Sequence, residues 1–163
     1  MMRIMFHALS ISLAMTLAAA QSSANPPSQT VPNSVVQPQI PPPEAQLILI
    51  RTALVTLNDA NRSNNYSILH ALGSSSFRQA NPPMKLATAF QGFRQNSIDL
   101  SPVVVIQPRP RYQTVISKGQ LRMVGSFPSQ PMEVAYDLTY DAAGAGWVLS
   151  GMSVQLENKV AAR

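Results

Sequence analysis

Leu47, Ile50, Leu54 and Leu57 recur at helical spacing and put one apolar stripe on the first element of the chain. Ile48, Leu49 and Val55 widen that stripe, so the pattern predicts a helix enclosed on most sides. Pro43 suits its first turn and Glu44 complements its positive end. Asn58, Asn61, Asn64 and Asn65 mark its close. A short second helix is predicted over residues 66–72, with Gly73 as a left-handed cap. Residues 74–76 read as a serine loop anchored by Phe77. Asn81 and Pro82 then open a third helix that carries Leu86, Phe90 and Phe93 on one face, with Gly92 weakening its last turn.

After Asp99 the period changes from helical to alternating. Residues 103–106 form a β-branched run that predicts a short strand, broken by Pro108-Arg109-Pro110. Tyr112, Thr114 and Ile116 alternate with Gln113, Val115 and Ser117, and Gly119 marks a turn or bulge. Leu121, Met123 and Phe127 continue the alternation up to a turn at residues 128–131. Val134, Tyr136, Leu138 and Tyr140 alternate with Ala135, Asp137 and Thr139, the clearest half-buried strand in the chain. A loop over residues 141–146 leads to a closing strand over 147–156 that Gly151 bends. The plan is α+β: three N-terminal helices packed on a curved antiparallel sheet of four to five strands.

Composition changes the picture most at the N-terminus. Arg3, the apolar run from Ala8 to Leu17, and Ala18-Ala19-Ala20 follow the order of a cleavable export signal. Residues 1–20 are therefore expected to be removed, with Ser22-Ser23-Ala24 as a second cleavage motif and 24 as the alternative boundary. The apolar run is shorter than the roughly 20 residues of a membrane span, and no later segment reaches that length. The expected compartment is the periplasm or the exterior, with no membrane span after cleavage. No Cys follows the signal, which excludes lipid attachment there and disulfides anywhere. Residues 21–43 hold seven prolines and no charge, the composition of a flexible linker. The folded domain is expected over residues 44–157, about 115 residues with the length to build one core, followed by a tail over 158–163.

Between residues 44 and 156 the chain resembles the nuclear-transport-factor-2-like superfamily, the cone-shaped fold also called SnoaL-like. The resemblance rests on element order, on Phe90-x-x-x-Arg94 leading into Ile98-Asp99-Leu100-Ser101, and on the ending Gly146-Trp147-x-Leu149-x-Gly151. Exported domains of this kind occur in proteobacteria. The resemblance implies a pocket between helices and concave sheet, with Tyr66, Phe90, Phe93, Tyr112, Tyr136, Tyr140 and Trp147 as candidate lining residues. The opposing expectation is that these aromatics fill the core. Family members include ligand binders, isomerases, dehydratases and protein-contact modules, so fold alone leaves function open.

Chemistry narrows that range. Once the leader is removed His70 is the sole histidine, which leaves no metal site built from several His or Cys ligands and no expected cofactor. Gly151-Met152-Ser153-Val154-Gln155 lacks the last glycine of a nucleophile elbow, and no glycine loop is built to cradle phosphate. The remaining enzyme option is proton transfer by carboxylate and tyrosine, of isomerase or hydro-lyase type, with His70 and Asp99 as the candidate polar pocket groups beside Tyr136. The formal net charge is +5, and the excess sits between Lys85 and Arg122, where six basic residues face Asp99 alone. Arg109 and Arg111 are candidates for an anion contact; their alternative role is to keep an edge strand soluble. No nucleic-acid recognition motif is present. The expectation is an exported, non-catalytic domain that binds a small apolar or anionic ligand, or a protein partner or second copy. A pure partner-binding role would call for an apolar patch on the outer sheet face, near Val115 and Val124.

Overall fold

A computed structural model describes residues 38–158. The expected export signal, residues 21–37 of the linker and residues 159–163 lie outside the described residues. The described chain is α+β, with five α-helices and one 3-10 helix followed by five strands.

Helix α1 (Pro43–Ser63) begins with proline in its first turn and ends on Asn64, which adopts the left-handed conformation at φ 52°. Ile50, Leu54 and Leu57 are buried as the stripe predicts. Ile48 is 65% exposed, so α1 is covered on its inner side and open to solvent on the other. Two of its asparagines lie inside the helix and are buried; Asn58 Oδ1 accepts a hydrogen bond from the backbone N–H of Leu100 at 2.8 Å.

The helical region holds five α-helices instead of three. Helix α2 (Ser67–Ala71) matches the expected second helix. The serine run instead starts α3 (Ser75–Ala80), because Ser74 Oγ accepts from the N–H of Phe77 and caps it. Asn81 closes α3, its side chain donating to the Phe77 carbonyl, and does not open the helix that follows. The expected third helix is divided at Phe90 into α4 (Pro83–Ala89) and α5 (Gln91–Gln95). Gly73 is not a left-handed cap. It bridges to Leu149 at the edge of the sheet, and a Cβ there would lie 2.1 Å from Phe77 Cδ1.

The β-branched run at 103–106 is not a strand. Pro102 and the Asp99 carboxylate, which accepts from the N–H and hydroxyl of Ser101, start a 3-10 helix (Ser101–Val104). That turn buries Val103 and exposes Val104 and Val105. The Arg51 guanidinium secures it by donating to the carbonyls of Val103 and Ile106 at 3.0 and 3.1 Å.

Strands β1 (Arg109–Pro110) and β2 (Val115–Ser117) share one edge of β3 (Gln120–Phe127). Strands β4 (Glu133–Ala143) and β5 (Gly146–Glu157) follow in order, and all pairs are antiparallel. Lys118 and Gly119, both at positive φ, make the two-residue turn from β2 to β3. The expected loop at 141–146 shrinks to residues 144–145, because β4 and β5 pair as far as Ala143 and Gly146. Thr139 faces Gly151 and Tyr140 faces Leu149, so Ser150 is an extra residue beside the glycine expected to bend the strand. Such a bulge increases local twist and bending.

Leu121, Met123, Phe127, Val134, Tyr136, Leu138, Tyr140 and Leu149 join the buried side of α1 in one core. The outer face is polar: Arg122 makes a bidentate pair with Asp137, and Gln120 donates to Asp141. Val115 is exposed on that face opposite Arg122, while Val124 is half-buried, so charged neighbours interrupt the apolar patch considered there.

Two glycines give opposite expectations. Gly73→Ala drives a methyl into Phe77 and costs about 1–3 kcal/mol. Gly92→Ala, in α5 with open space around it, raises stability by up to about 0.5 kcal/mol. Urea unfolding of both variants checks the signs.

Candidate functional site

Between β1 and β2 the chain leaves the edge of β3. Arg111 still donates its N–H to the Val124 carbonyl, but residues 112–114 swing away, and Thr114 Oγ1 donates to Gln46 Oε1 of α1 at 2.6 Å. This detour walls a pocket of about 310 Å³ at the N-terminal end of α1. Leu47, Ile50, Met123 and Tyr136 form its apolar side, and Pro43, Pro108, Pro110 and Tyr112 lie around it. Gln46 also donates Nε2 to the Pro41 carbonyl at 2.7 Å, so both ends of its amide are used.

Tyr136 is the distinctive group. The residue is 4% exposed and its hydroxyl makes no hydrogen bond within the described residues, yet it is not one of the buried unpartnered atoms there, so it opens to solvent in the pocket. Its position requires Gly125 opposite it, because a Cβ on Gly125 would lie 2.5 Å from the Tyr136 hydroxyl and 2.6 Å from the Arg109 carbonyl. Burial pushes the phenol up to about 12. At neutral pH it is therefore a neutral hydroxyl, able to donate and to accept. The one carboxylate of the wall, Glu44, is exposed in the first turn of α1.

The seven candidate aromatics do not surround one cavity. Tyr112 and Tyr136 belong to the pocket above, Tyr112 being 71% exposed at its rim. Tyr140 and Trp147 border a narrow cleft of about 100 Å³ beside Leu49 and Thr52. There the Tyr140 hydroxyl donates to the Leu49 carbonyl at 2.8 Å, and burial raises its pKa further than that of Tyr136. Tyr66, Phe90 and Phe93 pack together near the other end of α1, with Tyr66 and Phe90 stacked and Phe93 edge-on.

The polar candidates are spent elsewhere. His70 Nε2 pairs with the Arg78 carbonyl at 3.2 Å and joins α2 to α3. Asp99 is committed to Ser101, whose hydroxyl and N–H hold its carboxyl below the usual range. Arg111 is not a free anion contact. It makes a bidentate pair with Glu157 and lies 3.8 Å from Glu133, so its anion is internal. Arg109 is exposed on β1 and makes no ion pair among the described residues.

Leu47, Ile50, Gln46 and Thr114 were not among the candidates. The signal was present: residues 43, 46, 47 and 50 lie on one side of the first two turns of α1. Nothing in that spacing separates a lining residue from a packed one. Among the described residues no group of three or more His, Asp or Glu side chains is placed to hold a metal ion, and no helix is long and apolar enough to cross a membrane. No protein-family model, curated protein or solved structure matches this chain.

The two buried phenols set an alkaline limit. Each keeps its proton in the fold above the ordinary tyrosine value near 10, so folding stability is full below about pH 10 and falls as pH rises toward 12. Tyr136→Phe and Tyr140→Phe each flatten that fall. At pH 7, Tyr136→Phe leaves stability within about 0.5 kcal/mol, whereas Tyr140→Phe loses about 1 kcal/mol with its bond to Leu49. Urea titrations at several pH values separate the two.

Proposed function

We propose that this chain is an exported, non-catalytic binding module, and that its ligand is a small, mostly apolar molecule carrying one neutral polar group. The reading rests on the Tyr136 hydroxyl, which makes no hydrogen bond within the described residues and opens into a pocket with one apolar side and a rim of Glu44, Gln46, Gln107 and Thr114. A ligand that displaces water from this hydroxyl has to return the hydrogen bond, which selects for a polar atom at that point. The apolar wall supplies the rest of the affinity, and the lack of a cation among its lining residues favours an uncharged ligand. The resemblance to the nuclear-transport-factor-2-like cone is part of the same proposal, supported by the placement of a pocket between a long helix and an antiparallel sheet. Export to the periplasm or exterior rests on the sequence order of residues 1–20 and on the proline-rich stretch that follows.

The rival reading is an isomerase or hydro-lyase. General acid–base catalysis works best with a group that titrates near the working pH. Tyr136 titrates far above neutrality, and His70 and Asp99 lie outside this pocket. Binding is therefore the better reading.

Native mass spectrometry of the protein isolated from its own envelope fraction tests it. The expected spectrum shows a small-molecule adduct that is lost on denaturation and a chain that begins at Gln21 or Asn25. Tyr136→Phe lowers affinity for the recovered ligand about tenfold. Ile50→Trp, which fills the pocket, abolishes the adduct. An adduct retained by Ile50→Trp, or turnover of the ligand that is lost in Tyr136→Phe, overturns the reading.

A further inference from the structure

The other end of α1 carries a second, chemically different cavity. It measures about 460 Å³ and is bounded by Asn61 and Arg62 of α1, Phe93 and Arg94 of α5, and Ser97, Ile98 and Asp99 after it. Its polar lining residues are Asn61, Arg62, Arg94 and Ser97, with one carboxylate, Asp99, that Arg62 attracts through space. Arg94 lies over the Tyr66 ring, 5.4 Å from the centroid, and gives Nη1 to the Tyr66 hydroxyl and to the Ala87 carbonyl. Its Nε and Nη2 have no acceptor among the described residues. Tyr66 passes its own proton to Asn61 Oδ1 at 2.5 Å. That relay fixes the Asn61 amide with its oxygen used, and leaves Nδ2 buried without any partner among the described residues.

The wall offers little to accept these donors. Asp99 spends its carboxylate on Ser101 and makes no ion pair with Arg62 or Arg94 among the described residues. Arg62, in the last turn of α1, offsets the carbonyl end of that helix. Arg94 and Asn61 remain as unmet donors beside the apolar surfaces of Phe93 and Ile98. We propose that this cavity binds a carboxylate attached to an apolar body, with Arg94 and Asn61 taking the carboxylate oxygens and Phe93 and Ile98 flanking the hydrocarbon. Guanidinium pairs with carboxylate in planar, charge-assisted bonds. A ligand oxygen within reach of Asn61 Nδ2 also removes the cost of a buried unpaired donor. This site is independent of the pocket at Tyr136, and either can stand without the other.

The test uses the mature chain labelled with nitrogen-15, titrated with sodium phenylacetate and, as the uncharged analogue, 2-phenylethanol. Phenylacetate is expected to shift the Asn61 side-chain amide and the Arg94 Nε–H saturably below about 10 mM. The alcohol is expected to bind at least about fivefold more weakly. Asn61→Ala weakens phenylacetate about tenfold. Arg94→Gln also removes the support of Tyr66, so Arg62→Gln serves as the second variant. Arg62 makes no hydrogen bond or ion pair within the described fold; its loss weakens phenylacetate a few-fold and lowers the melting temperature only slightly, by its share of the helix-end and Asp99 attractions. Tyr136→Phe leaves the titration unaltered. Equal response to acid and alcohol, shifts confined to the Tyr136 pocket, or no saturable shift of the Asn61 amide overturns the proposal.

Discussion

Everything in this fold follows from the need to cover one side of one helix. α1 is three times the length of any other helix in the described chain, and its inner residues Leu54 and Leu57 have no exposed surface. Each buried leucine contributes roughly 2 kcal/mol that an open helix would forgo. The alternating face of β3, β4 and β5 supplies the cover, and the Tyr140 hydroxyl pins the helix backbone to the sheet at Leu49. The short helices pack at the far end, and Arg51 fastens the 3-10 turn to the same helix. α1 is thus both the core of the domain and a wall of both proposed binding cavities.

The cavities mark where that covering stops. At the first turns of α1 the β1–β2 detour lifts away from β3, and the space beneath is lined with the same apolar residue types that are packed two turns later. At the last turns the cover passes to α5 and the segment after it. There the wall changes from apolar to cationic and amide. A neutral pocket and a donor-rich one on a single helix reflect which element lies opposite, a strand in one case and a helix end in the other.

The helical stripe of α1 and the alternation of β4 were legible because each repeats its period many times against one continuous partner. Short elements were not. The Val103-Val104-Val105 run has the composition of a strand, yet Pro102 and the Asp99–Ser101 cap turn it into a 3-10 helix. Ser74 looked like loop because a capping serine differs from a loop serine only in the N–H it faces, here that of Phe77. Tyr136 and Tyr140 are buried on β4 as the alternation implies, whereas Tyr112 is 71% exposed between strands; the division of the seven aromatics among three places depends on where the backbone detours at 112–114 and divides at Phe90. Arg111 looked like an anion contact, and an anion does sit on it. Its partner is Glu157, 46 residues away, at a separation that local pattern does not encode.

Gln46 joins two things that are far apart along the chain. Its amide nitrogen holds the Pro41 carbonyl and its amide oxygen receives Thr114, so the segment that enters the domain and the wall of the Tyr136 pocket meet on a single side chain. Loss of that one amide would release the entering segment and the pocket wall together while leaving the helix–sheet core in place.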